Sequence, residues 1–210
     1  MTAIAGASLD TVPGEVRSRL PGLEVLSRED LLLLGRQLRR PPQGVVFVAR
    51  RCPRGVPAVI LTMPSRGEGR AVPPLFWLCC PAACARVGTL ESRGEAVSIK
   101  ARLEARPAAG QMFRRDEDLF GELSAALARG AEPGLASRLE GKGAAGGAPG
   151  SVKCLHAHLA FRLSLFPAVE DAYDIEERPD EGGIVGAWCE ELLAAEGGAW
   201  CERPPSPCVA

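Results

Sequence analysis

Aromatic side chains make up only 5% of this 210-residue chain, with one tyrosine, three tryptophans and six phenylalanines. So few rings cannot supply the succession of stacking faces on which single-stranded nucleic acid is held, which argues against a nucleic-acid partner. Net charge is equally scarce: 25 Lys and Arg against 26 Asp and Glu leave a formal charge of −1, and no single-signed field for long-range steering arises. No apolar run approaches the roughly 20 residues that cross a bilayer. The N-terminus lacks a basic segment followed by an apolar core and a small-residue cleavage site. A cytoplasmic protein without a membrane association is therefore expected, and in that compartment thiols stay reduced. Close Cys-x-x-Cys pairs are missing, and so is any internal repeat. What the chain does have is an ordinary globular share of hydrophobic residues, 46%, and eight cysteines with only two histidines.

Residues 1 to about 22 mix small residues with Pro13 and Pro21 without a sustained period and read as a flexible arm. Ser27-Arg28-Glu29-Asp30 is a helix start, and Leu31 to Leu34 with Leu38 carry that helix to Arg40, before Pro41 and Pro42. Gly44-Val45-Val46-Phe47-Val48-Ala49 and Ala58-Val59-Ile60-Leu61-Thr62 are strands rich in β-branched residues. Between them Cys52-Pro53-Arg54-Gly55 is turn chemistry, so the two form an antiparallel hairpin with Cys52 at its tip. Leu75-Phe76-Trp77-Leu78-Cys79 is a third strand.

Helices are expected from Ala82 to Ser92 behind Pro81, around Val97 to Leu103, from Asp116 to Ala128, from Val152 to about Leu165 and from Val185 to Ala195. The sum is an α+β fold, a small antiparallel sheet of a hairpin plus a third strand, packed against several helices of which one is central and buried. One domain over residues 23–196 is expected, followed by an irregular tail, 197–210, with Trp200, Cys201 and Cys208 among prolines. Arg36, Arg39, Arg40, Arg50, Arg51 and Arg54 crowd the early part, while Glu170, Asp171, Asp174, Glu176, Glu177, Asp180 and Glu181 gather late. These read as solvated faces that attract each other within the monomer.

Chemistry concentrates in Val152-Lys153-Cys154-Leu155-His156-Ala157-His158, which holds both histidines beside a cysteine and follows a glycine-rich run, with Ser151 at the cap position. At about 100° per residue, Val152, Leu155, Leu159, Leu163 and Phe166 share one stripe and Cys154, His158, Phe161 and Leu165 nearly the opposite one. Two apolar faces mark a buried helix. A regular helix cannot aim Cys154, His156 and His158 at one ion, since only Cys154 and His158 are a turn apart. A metal centre therefore needs ligands from elsewhere, with Cys52 at the hairpin, Cys79, Cys80 and Cys84 after the third strand, and Cys189, Cys201 and Cys208 later as the supply. Thiolate with imidazole suits zinc, and thiolates suit an iron–sulfur cluster. Buried cysteine as a small core residue covers Cys79, Cys84 and Cys189 equally well.

Two other chemistries use the same stretch. Cys154 near a helix start, with Lys153 beside it and His156 or His158 as base, has the ingredients of a nucleophile, so Cys154, His156 and Lys153 are the catalytic candidates. Gly141-Lys142-Gly143-Ala144-Ala145-Gly146 matches a dinucleotide fingerprint by letter, but the polar, helix-prone residues before it are no buried strand, and no Gly-Lys-Ser or Gly-Lys-Thr is present. Exposed amides at Gly150 to Val152 with Lys142 and Lys153 nearby, and Gly146, Gly147 and Lys153 as the binding candidates, can still hold a phosphate or other anion. A flexible connector is the plainer reading of the same glycines.

From about Leu31 to Leu193 the chain resembles a bacterial family of unassigned activity, domain of unknown function 501. The resemblance rests on Arg36-Gln37-Leu38 with Pro42 and Gly44-Val45, and on Arg51-Cys52-Pro53 with Gly55 and Pro57-Ala58-Val59. It continues through Pro73 to Leu78 with Pro81, Leu90-Glu91, and Gly146-Gly147 followed by Val152-Lys153-Cys154-Leu155-His156. It implies that Cys52, Cys154 and His156 are the positions that matter. The family's Asn-Pro-x-Gly element is replaced here by Gly182-Gly183-Ile184-Val185-Gly186. The leading expectation is a metal site of Cys52, Cys154, His156 and His158 holding zinc or an iron–sulfur cluster. The rivals are a cysteine-dependent or anion-binding enzyme built on the same residues, and an interaction module whose acidic C-terminal segment recruits a basic protein partner.

Overall fold

Ser27 and Asp30 satisfy each other's backbone: the serine hydroxyl accepts the Asp30 amide at 3.0 Å and the Asp30 carboxylate accepts the Ser27 amide at 2.9 Å. This reciprocal cap starts α2, Arg28–Gln37. In the computed structural model, residues 8–40, 42, 45–62, 75–131, 137, 149–166, 182–198 and 200–201 are described. Before α2 come a 3-10 turn, Leu9–Thr11, a short helix α1, Gly14–Arg19, and strand β1, Glu24–Val25. After it the strands β2, Val45–Arg51, β3, Pro57–Thr62, and β4, Phe76–Leu78, complete a four-stranded antiparallel sheet in the order β1-β2-β3-β4. Then follow helices α3, Pro81–Ser92, α4, Glu95–Ala105, α5, Pro107–Ala131, α6, Leu155–Leu165, and α7, Ile184–Ala195. The fold is α+β with a small sheet, as the patterning predicts.

The Cys52-Pro53-Arg54-Gly55 turn is closed by the Gly55 amide donating to the Cys52 carbonyl and the Cys52 amide donating to the Val56 carbonyl, both at 2.9 Å. Gly55 has φ +75°, a conformation that favours glycine. The register pairs Val48 with Ile60 and Ile60 with Trp77. Every residue of β3 is buried, so both faces of the sheet are covered. Side-chain alternation assigns them: Val59 and Leu61, with Phe76 and Leu78, face the main core, while Ile60 faces Leu34 of α2 together with Cys79 and Trp77. Arg51 ties this outer layer together, with a two-pronged contact to Asp30 at 2.8 and 3.0 Å and a second to Glu24 at 2.7 Å.

The main core is built around α6. Leu155, Leu159, Ala160, Phe161 and Leu163 are buried on all sides, against α7, α3 and the sheet. Phe161 meets Phe76 of β4 at 5.5 Å between ring centres and Phe120 of α5 at 5.8 Å. At Gly186 of α7 the two helices come so close that an added Cβ would lie 2.4 Å from the Arg162 Cβ and 2.5 Å from the His158 carbonyl oxygen. The start of α7 is capped from a distant helix: the Asp116 carboxylate of α5 accepts the Gly183 amide at 2.6 Å and the Ile184 amide at 2.8 Å. Gly182 and Gly183, at φ +81° and +76°, let the backbone turn those amides inward. That geometry is a physical reason for glycines in the segment where the family pattern differs.

Several expectations need correction. Residues 8–22, the described part of the expected arm, do not run loose: Val12, Val16 and Leu20 are buried, and α1 packs on α5. Strand β1 was not expected, its two residues being too short to show a period. The helix expected to reach Arg40 ends at Gln37, with Arg39 in the left-handed region at φ +53°. The helix expected from Asp116 begins at Pro107, nine residues earlier. The helix expected from Val152 begins at Leu155, and Cys154 is its extended cap residue. Glu170 to Glu181 lie outside the described residues, and of the early arginines Arg51 is paired with Asp30 and Glu24.

Gly186→Ala should destabilise the protein by about 1–3 kcal/mol or more in urea denaturation, because its methyl meets backbone. Gly35→Ala, where nothing lies within 4 Å, should leave stability unchanged or raise it by roughly 0.5–1 kcal/mol. Burial pushes the Asp116 carboxyl up to about 6, against the lowering pull of the Gly183 and Ile184 amides. A carboxyl raised in the folded state favours folding fully below its ordinary value of 3.8 and loses that contribution as pH rises through about 6. Between those limits the stability of the wild type should fall relative to Asp116→Asn, measured by denaturant midpoint against pH.

Candidate metal centre

The centre lies where the end of α3 meets the start of α6. Cys84 and Glu91 are seven residues apart on α3 and so share a face two turns long. Glu91 reaches the first amide of α6: the Leu155 N–H donates to Glu91 Oε1 at 2.7 Å. The same oxygen lies 3.2 Å from His156 Nδ1. One turn of α3 before Val87, the Cys84 carbonyl oxygen stands 3.0 Å from His156 Nε2. A carbonyl only accepts, so Nε2 carries a proton and donates it. The imidazole is thereby held by α3 at both ring nitrogens.

Cys154 completes the group. Its backbone is extended, φ −137° and ψ 104°, so it stands outside the helix and its side chain is free of the 100° rule. Its sulfur lies within 4.8 Å of the His156 ring. Among the described residues one group of three side chains has ligand-type atoms all within 4.8 Å of one another: Glu91, Cys154 and His156. Oxygen, thiol sulfur and imidazole nitrogen in that compass can hold a metal ion. The His156 ring is pushed up to about 9 by Cys154, the Cys84 carbonyl and Glu91, against burial, which lowers it.

The other expected site residues go elsewhere. His158 is 4% exposed, faces Phe113 of α5 at 5.8 Å between ring centres, and has Nε2 buried without a hydrogen-bond partner. Burial alone pushes it down to about 4. Cys52 does not stand open at the hairpin tip but is 5% exposed, and it is not part of the Glu91 group. Lys153 is exposed. Gly146 and Gly147 lie outside the described residues. The Gly150 amide, counted among the anion donors, points at the Glu117 carboxylate at 2.8 and 2.9 Å, and the first amide of α6 is on Glu91. The protein's own carboxylates already hold both donors.

Glu91 is the member missing from the sequence-based set. It was visible as part of Leu90-Glu91 in the family resemblance, and its spacing of seven from Cys84 was the signal of a shared face. Nothing in the sequence tied that face to α6.

An α+β domain with oxygen, nitrogen and sulfur atoms gathered between two helices, in a group that could hold a metal ion, is what this geometry defines. The sequence model of a family described as a protein of unknown function, DUF501, matches residues 48–170, and the chain belongs to that family. Cys52, Glu91, Cys154 and His156 all fall within the matched span. No curated protein and no solved structure matches the chain.

The dual grip of Glu91 makes a prediction about folding. Glu91→Ala leaves the Leu155 amide and the His156 ring without their acceptor and should cost about 1–3 kcal/mol in chemical denaturation, whereas Glu91→Gln, which keeps an oxygen, should cost less than half as much.

Proposed function

We propose that this protein binds one zinc ion through Glu91, Cys154 and His156, leaving a fourth position for water or a substrate group. The observation that carries the reading is the His156 Nε2 hydrogen bond to the Cys84 carbonyl at 3.0 Å. A histidine ligand commonly donates its second ring N–H to a carbonyl or carboxylate, which fixes the tautomer and aims the other nitrogen at the metal. Here the aimed atom is Nδ1, the nitrogen facing Glu91 Oε1 at 3.2 Å. With Oε1 already taken by the Leu155 amide, Oε2 is the natural oxygen ligand. A set with one thiolate, one imidazole and one carboxylate suits zinc, and three protein ligands with an open fourth position is the pattern of zinc sites that polarise water. An iron–sulfur cluster needs more thiolates than this group provides. Cys52 and His158 have no part in the reading.

A second reading is favoured by the closeness of the Cys154 sulfur to the His156 ring, within 4.8 Å: the pair can act as nucleophile and base, with Glu91 orienting the ring. Metal and nucleophile compete for the same sulfur, so one experiment separates them. Protein purified without an affinity tag under anaerobic conditions should carry, or take up, about one equivalent of zinc. Cobalt in its place should show a thiolate-to-metal absorption band that Cys154→Ser removes and Cys52→Ser retains. Zinc should protect Cys154 from alkylation by iodoacetamide. A stably folded protein that takes up neither ion, with Cys154 alkylated equally with and without zinc, would overturn the metal reading in favour of the nucleophile.

A further inference from the structure

From Leu31 to Gly67 the chain carries seven arginines and no acidic residue. Two of the seven are taken up inside the fold: Arg51 by Asp30 and Glu24, and Arg50 by the Phe166 carbonyl at 2.6 Å. Arg36, Arg39 and Arg40, at the end of α2, are exposed, and among the described residues neither Arg36 nor Arg39 has an ion-pair partner. The Gln37 side-chain amide donates to the Pro57 carbonyl at 3.1 Å, which fixes this end of the helix against the hairpin. The helix turns Leu34 inward onto Ile60 and, about 200° away, Leu32 outward, where it is 63% exposed. Arg36 stands one turn beyond Leu32 on the same outer face.

Arg39 is held in a costly conformation. Its amide closes the helix on the Arg36 carbonyl at 3.2 Å, and its backbone is left-handed, φ +53°. Glycine takes up that conformation at a helix end without steric cost, and among the described residues Arg39 is the one non-glycine residue with positive φ. The negative end of the helix accounts for a cation in the last turn, Arg36, but not for a long side chain in the strained position beyond it. Arg40 is set in place as well, its guanidinium 5.6 Å from the centre of the Trp77 ring. Three guanidiniums and one leucine thus line the outer side of α2 and its end.

We propose that this face docks an acidic segment of another protein, with its carboxylates on Arg36, Arg39 and Arg40 and an apolar side chain on Leu32. Guanidinium matches carboxylate in planar, two-pronged pairs, and a run of arginines with no carboxylate of its own leaves that pairing to a partner. A nucleic-acid backbone would meet the arginines and leave Leu32 idle. A lipid surface takes up several apolar side chains, and Leu32 is the one large apolar side chain exposed on α2. The face shares no residue with the Glu91 group, so the proposal goes beyond the zinc reading and does not rest on it.

The test titrates the full chain into a fluorescein-labelled peptide of repeated Leu-Glu-Glu units and follows fluorescence anisotropy at about 20 mM NaCl, where exposed charges are weakly screened. The expected result is a saturable rise that falls away as salt is added. Arg36→Gln combined with Arg39→Gln should weaken binding about tenfold or more. Leu32→Ser should weaken binding of this peptide and leave that of an all-glutamate peptide unchanged. Arg39→Gly should weaken binding yet raise the denaturation midpoint, a pair of opposite signs that a merely structural arginine would not give. Glu91→Gln should bind as the wild type does, which separates this face from the zinc reading. The proposal is overturned by the absence of a saturable rise with the wild type, by a double variant that binds equally well, or by tighter binding of duplex DNA or of phosphatidylglycerol vesicles than of the peptide. The wild-type comparison of the three probes decides the matter even where a variant fails to fold.

Discussion

The enclosure of α6 is the constraint on which the rest of the structure depends. A helix buried on every side cannot leave its end groups or its polar side chains to water. Each must be answered by a neighbour: the Leu155 amide by Glu91, His156 by Cys84 and Glu91, and Arg162 by the Gly182 carbonyl and Glu190. The Ser164 hydroxyl turns back onto the Ala160 carbonyl at 2.8 Å. These obligations decide where α3 and α7 stand. The ligand group at the head of α6 is one product of that arrangement, since the carboxylate that caps the helix also faces its histidine.

Where the chain's periodicity was strong, the fold could be read from it. Val59-Ile60-Leu61 alternates across a sheet covered on both faces, Pro81 opens a helix at its first position, and Ser27 with Asp30 caps another. The short elements were not legible. Two residues of β1 carry no period, and α1 owes its place to Val16 and Leu20 finding a surface on α5 rather than to any propensity of Gly14-Glu15-Val16. The early start of α5 was hidden by Pro107, which is tolerated at a first turn and reads equally well as a break.

The site was half legible. Cys154 and His156 stood out as soft ligands in one short stretch, yet the angular argument kept them apart because it extended the helix back to Val152. With Cys154 extended, two residues that a regular helix would splay come together. The third member came from an ordinary-looking glutamate near the end of a helix, distant by more than sixty positions. Such convergence is a property of tertiary packing and leaves no trace in local spacing. His158 shows the converse: an imidazole with ligand-like spacing that the fold spends on packing against Phe113.

The near-contact at Gly186 also sets a register. With no side chain between the backbones there, moving α7 along α6 by one residue would drive the methyl groups of Val185 or the Cβ of Ala187 into Arg162 and the His158 carbonyl. The helix pair therefore has one setting, like a key whose single notch admits one tooth. Because Gly198 follows α7 after a span of only a few residues, that notch works as a ruler, measuring out how far the chain beyond the helix reaches before the Gly198 carbonyl meets the Arg86 guanidinium of α3.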